Sequence, residues 1–126
     1  MDEPPVLIDG TRVLAYAILD ERARKSGGFR ALAAGMPLDG NAVACLVVAE
    51  NLVEDGVFLI HCDAEWGTVV AETFADLEAA QAAARESCTG VAIDWIPFRT
   101  LTGEERREVE VTRDFLREIA AEFPPG

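Results

Sequence analysis

Two apolar runs separated by Asp-Gly constrain the fold of this chain more than any other feature of its sequence. The runs are Ala42–Val53 and Val57–Asp63, and residues 54–56, Glu-Asp-Gly, lie between them. Asp-Gly between two such runs is the strongest short-range signal for a β-hairpin, because both residues tolerate the positive φ of a type I′ turn. Thr68–Phe74 has the same composition and follows a short turn, so the sequence predicts a three-stranded meander.

Further strands are predicted on both sides of this meander. Thr11–Leu19 is rich in Val, Ile, Leu and Tyr, and a short strand at Val6–Ile8 precedes it through the turn Asp9-Gly10. Phe29–Ala34 is compatible with a strand or a short helix, and the polar segment before it, which contains Ser26-Gly27-Gly28, is predicted to be a turn. Val91–Phe98 is predicted to be a strand that Pro97 restricts to an edge of the sheet.

Two helices are predicted from caps and spacing. Asp76 is a good N-cap for a helix with an apolar stripe of period three to four, and the sequence Thr102-Gly103-Glu104-Glu105 is a capping box. The stripes consist of Leu77, Ala80, Ala84 and Cys88 in the first helix, and of Val109, Thr112, Leu116, Ile119 and Phe123 in the second. We therefore predict an α+β fold, with a mostly antiparallel sheet of about four to six strands and two principal helices packed on one face.

Composition predicts one domain over residues 1–126, since a chain of this length buries a single core. The N-terminus lacks the basic and apolar regions of a secretory signal, and no apolar run is long enough to span a bilayer. The three cysteines are an odd number without a C-x-x-C pair, which is typical of buried thiols in a reducing compartment. These features together predict a cytoplasmic protein.

The net charge of −12 is unevenly distributed along the chain. No Lys or Arg occurs between Arg30 and Arg85, whereas nine acidic residues do. They are Asp39, Glu50, Glu54, Asp55, Asp63, Glu65, Glu72, Asp76 and Glu78. Such a surface would repel nucleic acids and anionic membranes and attract a basic protein, although acidity that serves only solubility is an alternative interpretation.

The sequence "FLIHCD" places the only histidine next to a cysteine near the end of a strand. Side chains alternate along a strand, so His61 and Cys62 are expected on opposite faces, which argues against a catalytic pair. If Asp55-Gly56 formed a two-residue loop, Glu50 would pair with His61, and Asp63 would lie beside them. That cluster would suit a general acid–base pair or a metal corner, and an imidazole satisfied by Glu50 is the structural alternative.

The segment Asp63-Ala64-Glu65-Trp66 is an acidic turn that carries a tryptophan. Aromatic anchors beside carboxylates are typical of binding faces, so we predict a partner-binding site. Its predicted residues are Glu50, His61, Asp63, Glu65 and Trp66. Trp66 is equally compatible with core packing, and for the later Trp95 core packing is favoured.

The strand ending in Cys-Asp-x-x-Trp, the following strand, the segment "FADLEAAQAAARE" and the late Trp-bearing segment resemble immunity proteins of polymorphic toxin systems. The resemblance covers Leu59–Trp95, although Ala75-Asp76 stands where such proteins often have a Ser. It implies a bacterial binding protein and no catalytic residue. No complete catalytic, metal or nucleotide motif is present, so no cofactor is expected.

The sequence therefore predicts a non-enzymatic acidic interaction protein, in the manner of an immunity-type inhibitor, that binds a basic protein and neither nucleic acid nor membrane. Two alternatives stay open. One is a small enzyme or metal-dependent protein that uses Glu50, His61 and Asp63. The other is a homo-oligomeric structural module, for example a homodimer.

Overall fold

The computed structural model describes residues 2–25, 28–33, 35–39 and 42–122. The elements in chain order are β1 (Leu7–Ile8), β2 (Thr11–Ile18), α1 (Glu21–Lys25), β3 (Arg30–Ala33), β4 (Met36–Pro37), β5 (Cys45–Glu50), β6 (Val57–Cys62), β7 (Thr68–Phe74), α2 (Leu77–Ser87), β8 (Cys88–Thr89), β9 (Ile96–Pro97) and α3 (Gly103–Glu122). Four residues of the predicted elements, Ser26, Gly27, Ala34 and Phe123, lie outside the described residues.

The main sheet is antiparallel in the strand order β1-β2-β5-β6-β7, and β9 pairs with β2. A small second sheet has the order β4-β3-β8. The predicted α+β class is confirmed, and the meander of β5, β6 and β7 forms in the predicted order.

The hairpin predicted at Asp55-Gly56 is confirmed, but the two-residue loop considered there does not form. Glu50 pairs with Val57, so residues 51–56 form the connection. The Asn51 carboxamide oxygen accepts hydrogen bonds from the amides two and three residues further along, at 2.9 and 3.1 Å. Leu52 turns inward and is 2% exposed. Burial of this leucine and the Asn51 turn set the register, because they stabilise a wider loop than Asp-Gly alone would form.

Both faces of the central strands are buried, as the nearly unbroken apolar sequence of β5 indicates. On one face Leu46, Val48 and Leu59 pack with Ala80 and Ala84 of α2. The residues packed on the other face are Ile8, Val13, Cys45, Val47, Ile60 and Cys62, with Tyr16, Phe58 and Trp66 partly buried around them. The meander is therefore the hydrophobic centre of the molecule.

The sheet curls towards the second of these faces. A register shift between Val13 and Ala15 bends β2 where it pairs with β5. The turn after β1 then meets the start of β7, where the Thr68 hydroxyl donates a hydrogen bond of 2.6 Å to the Asp9 carboxylate. Asp9 and Gly10 both have positive φ, which confirms the predicted turn between β1 and β2.

The strand predicted at Val91–Phe98 is largely wrong. Only Ile96–Pro97 pairs, with Tyr16 and Ala15 of β2. The alternating inward residues Val91, Ile93 and Trp95 pack on the α2 side of the core, although residues 91–95 are not in a strand. The alternation therefore reports burial correctly, while the backbone hydrogen bonds of a sheet are missing from this segment.

Both predicted helix starts are confirmed. The Asp76 carboxylate accepts a hydrogen bond from the Ala79 amide at 2.8 Å. The Thr102 amide donates to the Glu105 carboxylate at 2.8 Å, and the Glu105 amide donates to the Thr102 hydroxyl at 3.2 Å, which is the reciprocal pattern of a capping box.

Helix α3 packs near the connection between β5 and β6. Val109, 4% exposed, contacts Leu52 and Leu101 in a small cluster of its own, and Leu116 packs at its edge. The Arg117 side chain donates to the Leu52 carbonyl at 3.2 Å. None of the described helices combines the length and the apolar character that a bilayer span requires.

Candidate functional site

His61 is sealed inside the protein and cannot contact a partner. Its side chain is 0% exposed and shares a face with Leu59, between Leu46 and Val70 of the neighbouring strands. Both ring nitrogens lack a hydrogen-bond partner within the described part of the chain. Burial lowers the pKa of the imidazole, and the nearby Glu72 carboxylate opposes that effect. The predicted partner contact at His61 is therefore wrong.

Glu50 does not meet His61 either, because the wider loop shifts the register. Glu50 lies opposite Val57 and Arg12, at the other end of β6 from the Asp63 turn. Its carboxylate accepts a hydrogen bond of 2.9 Å from Arg113 of α3. The predicted cluster of Glu50, His61 and Asp63 does not form, so the acid–base or metal site built on it is wrong. Within residues 2–25, 28–33, 35–39 and 42–122, no group of three or more potential ligands could hold a metal ion.

Asp63 and Trp66 build the turn between β6 and β7. The Asp63 carboxylate accepts from the amides of Glu65 and Gly67, both at 2.8 Å. Trp66 has a φ of 64° and is half-buried, with its ring edge-on to Tyr16 at 5.8 Å. Trp66 therefore closes the end of the core, and this turn offers a partner mainly the exposed side chains of Asp63 and Glu65.

The acidic middle of the chain does not remain free of basic residues in space. Arg113 and Arg117 of α3 line the same groove, of about 440 Å³, as Glu50, Glu54 and Asp55. Since the β6–β7 turn lies at the other end of β6, Asp63 and Glu65 are separated from Glu50, Glu54 and Asp55. The sequence predicts one acidic face, whereas the structure places compensating arginines against the larger group of acids.

Helix α3 carries an apolar stripe that faces away from the protein. Val111 is 62% exposed, Phe115 61% and Ile119 39%. Residues four apart lie on one side of a helix, so these three form a continuous strip, whereas Val109 and Leu116 lie on the inner side. Ile119 was predicted to belong to the buried stripe, and its position on the outer side is a correction.

Charged residues surround this strip, and five of the six are acidic. By helical spacing and exposure, the surrounding residues are Glu104, Arg107, Glu108, Asp114, Glu118 and Glu122. We call these six residues together with Val111, Phe115 and Ile119 the α3 outer face. This face could have been predicted from the sequence, because Val111, Phe115 and Ile119 are apolar residues spaced four apart. Val111 and Phe115 do not belong to the stripe that was predicted to be buried.

The three cysteines are buried, as predicted, and each is a free thiol in the structure. Burial raises the pKa of the Cys45 and Cys62 thiols to about 12 and also raises the pKa of Cys88. The pKa values of all three thiols thus favour the unreactive protonated form.

We expect the native protein to resist the thiol reagent DTNB at pH 8. A pKa of about 12 in place of 9.0 leaves about 1000-fold less thiolate, the reactive form, at Cys45 and Cys62. Absorbance of the released product should rise slowly for the native protein and at once in guanidinium chloride. A thiol that reacts rapidly in the native protein would contradict the buried placement.

Comparison of the chain with known protein families, curated proteins and solved structures gave no match.

Proposed function

We propose that this protein is a non-enzymatic interaction protein that binds a basic, amphipathic segment of a partner protein on the α3 outer face. The observation that carries the proposal is the strip of Val111, Phe115 and Ile119, which is exposed and bordered by five carboxylates. An apolar strip with a charged border is typical of a protein interface, and Phe115 is an aromatic anchor of the kind that dominates binding energy.

The negative charge of the residues around the strip determines which kind of partner binds there. Opposite charges across an interface speed association and exclude partners of the same sign. With a net charge of −12 overall, nucleic acid phosphates and anionic lipids are repelled. A second copy of the chain would place acidic borders against each other, so a basic partner fits this surface better than a homodimer.

An immunity-type role is the finer form of this proposal. A toxin nuclease carries a basic surface for its substrate, and an acidic protein that covers such a surface blocks the substrate. Asp63 and Glu65 at the β6–β7 turn add negative potential that steers such a partner during encounter. Glu50 contributes less, because its carboxylate is paired with Arg113.

The test uses a fluorescein-labelled amphipathic helix of Lys and Leu as the probe, and a Glu and Leu peptide of equal length as its control. Fluorescence anisotropy should show saturable binding of the basic peptide alone. Phe115→Ser should weaken this binding by at least about tenfold, the effect of removing an interface anchor. Met36→Ser is the matched control, since Met36 is exposed to a similar degree, 68% against 61% for Phe115, and lies outside the α3 outer face.

Charge is tested separately with Glu108→Lys, for which Glu86→Lys on α2 is the control with the same change in net charge. We expect Glu108→Lys alone to reduce the association rate strongly, and added salt to reduce it in the unsubstituted protein. Equal effects of Phe115→Ser and Met36→Ser would overturn the proposal. A stronger effect of Glu65→Lys than of Glu108→Lys would move the site to the β6–β7 turn, and self-association through Phe115 would replace the partner with a second copy.

A further inference from the structure

The inner side of α3 borders a cavity with an unusual charge for so acidic a protein. The cavity has a volume of about 490 Å³, within the size range of small-molecule sites. It lies between β2, the segment 98–101 and α3, and it is lined by Arg12, Arg99, Arg106 and Arg113. The whole chain has only 11 basic residues, so a large share of its positive charge converges on this cavity.

Two of the four arginines are neutralised within the protein. Arg99 forms two hydrogen bonds with the Glu105 carboxylate, at 2.6 and 2.7 Å, and one with Glu3 at 2.9 Å. The hydrogen bond from Arg99 lowers the pKa of Glu105 to about 2, so Glu105 stays charged at neutral pH. Arg113 is paired with Glu50. These pairs fix the positions of two walls of the cavity.

The other two arginines have no partner in the part of the chain that the structure describes. The guanidinium groups of Arg12 and Arg106 form no hydrogen bond or ion pair with the described residues. The Arg12 Nε atom is also shut off from solvent. A ligand in the cavity cannot reach this atom, but the two terminal nitrogens of the Arg12 guanidinium are not shut off from solvent and can donate charge-assisted hydrogen bonds to an oxyanion.

The remaining lining residues restrict the ligand further. Phe98, Leu101 and Val109 form an apolar wall, and the Arg99 guanidinium lies over the Phe98 ring at 5.1 Å. Glu110 is the one carboxylate among the described lining residues. The two cations and the one anion leave a net charge of +1, which one negative charge on a ligand group balances.

We propose that this cavity binds a small organic oxyanion, with a carboxylate or phosphate group between Arg12 and Arg106 and an apolar body against Phe98. The site is separate from the α3 outer face, since Val109 lies on the inner side of the helix and Phe115 on the outer side. The protein's overall negative field opposes the approach of any anion, so binding depends on these guanidinium groups rather than on general attraction.

Isothermal titration calorimetry with phenyl phosphate, benzoate and inorganic phosphate as probes tests this site. We expect saturable binding of phenyl phosphate or benzoate, whichever group the pocket prefers, and weaker binding of inorganic phosphate, which cannot use the apolar wall. Amide resonances of residues 98–101 should shift in the ¹H–¹⁵N spectrum during the same titration. Benzyl alcohol, which lacks the charge, should not bind.

Arg106→Gln should weaken the binding by at least about tenfold, the effect of losing a charge-assisted hydrogen bond. Arg85→Gln is the matched control, because it removes the same charge from an exposed arginine of α2, outside both the cavity and the α3 outer face. It should leave the affinity unchanged. The proposal is overturned if no probe saturates, if both variants weaken binding equally, or if inorganic phosphate binds as tightly as phenyl phosphate. Since neither Arg106 nor the probes touch the α3 outer face, failure here leaves the peptide-binding result intact.

Discussion

Gly90→Ala is expected to destabilise the folded state by about 3 kcal/mol or more, from backbone strain and overpacking together. Gly90 has a φ of 82°, in the left-handed region that L side chains rarely adopt. A Cβ atom there would lie 2.0 Å from the Gly28 carbonyl oxygen and 2.5 Å from its carbon. Because both contacts are with backbone, no side-chain rotation relieves them. Residues 28–30 would have to move away from residues 88–90, where Arg30 pairs with Thr89.

Gly35→Ala separates the contact from the backbone strain. Gly35 has a φ of 77°, close to that of Gly90, but a Cβ there would meet no atom within 4 Å. Its substitution should therefore cost only the strain of the left-handed region, about 1 kcal/mol. Urea unfolding followed by tryptophan fluorescence measures both free energies of unfolding. Equal losses for the two variants would show that residues 28 and 90 do not approach each other in this way.

Local signals predicted the starts of the two principal helices and the central meander well. The Asp76 cap and the Thr102–Glu105 capping box each depend on hydrogen bonds between residues three apart, which a sequence displays directly. The meander could also be predicted, because the residues that favour strands and the residues that favour turns follow each other directly in the sequence. These interactions join residues that are close in sequence, and in this fold no contact with a distant residue replaces them.

The register of the central hairpin depended on a distant contact. Leu52 packs with Leu101 and Val109, about fifty residues further along the chain, and this packing widens the loop that Asp55-Gly56 would have closed tightly. Leu52, an apolar residue within the loop, indicates already in the sequence that the loop packs against the protein. The predicted cluster of Glu50, His61 and Asp63 does not form, because the observed strand pairing separates Glu50 from His61.

The prediction of a single acidic face was wrong for the same reason, namely contacts between residues that are far apart in the sequence. Glu110 and Arg113, like Asp114 and Arg117, are three residues apart on α3, a spacing that allows ion pairs along a helix. In the structure Arg113 reaches Glu50 and Arg117 reaches the Leu52 carbonyl. Helix α3 thus uses its inner arginines to hold the sheet, and its outer side is left rich in acidic residues. The surface that combines acidic and apolar side chains is therefore on α3 and not on the hairpin of β5 and β6.

Lowering the pH from 7 to 5 is expected to destabilise the protein through His61. Burial lowers the pKa of the folded imidazole below its ordinary 6.5, so the unfolded chain takes up a proton more readily than the folded one. The stability due to neutral His61 is therefore complete above pH 6.5 and is lost as the pH falls below it. The maximum slope is about 1.4 kcal/mol per pH unit, the value for one proton.

Two variants assign this slope to His61. His61→Leu keeps the volume and removes both unpaired nitrogens, so we expect equal or greater stability at pH 7 and little change down to pH 5.5. His61→Gln keeps a buried polar group that does not titrate, so it should be less stable than His61→Leu and equally insensitive to pH in this range. Because His61 is the only histidine, no other side chain has an ordinary pKa in this window.

The measurement is urea unfolding of the three proteins at half-unit steps between pH 5 and pH 7.5. The free energy of unfolding of the unsubstituted protein should fall away from that of His61→Leu as the pH drops below 6.5, by at most about 1.4 kcal/mol for each pH unit. Parallel curves for the two would mean that the imidazole gains its proton as easily in the folded protein as in the unfolded chain. The ring would then have access to water or to the Glu72 carboxylate, contrary to its sealed position between Leu46 and Val70.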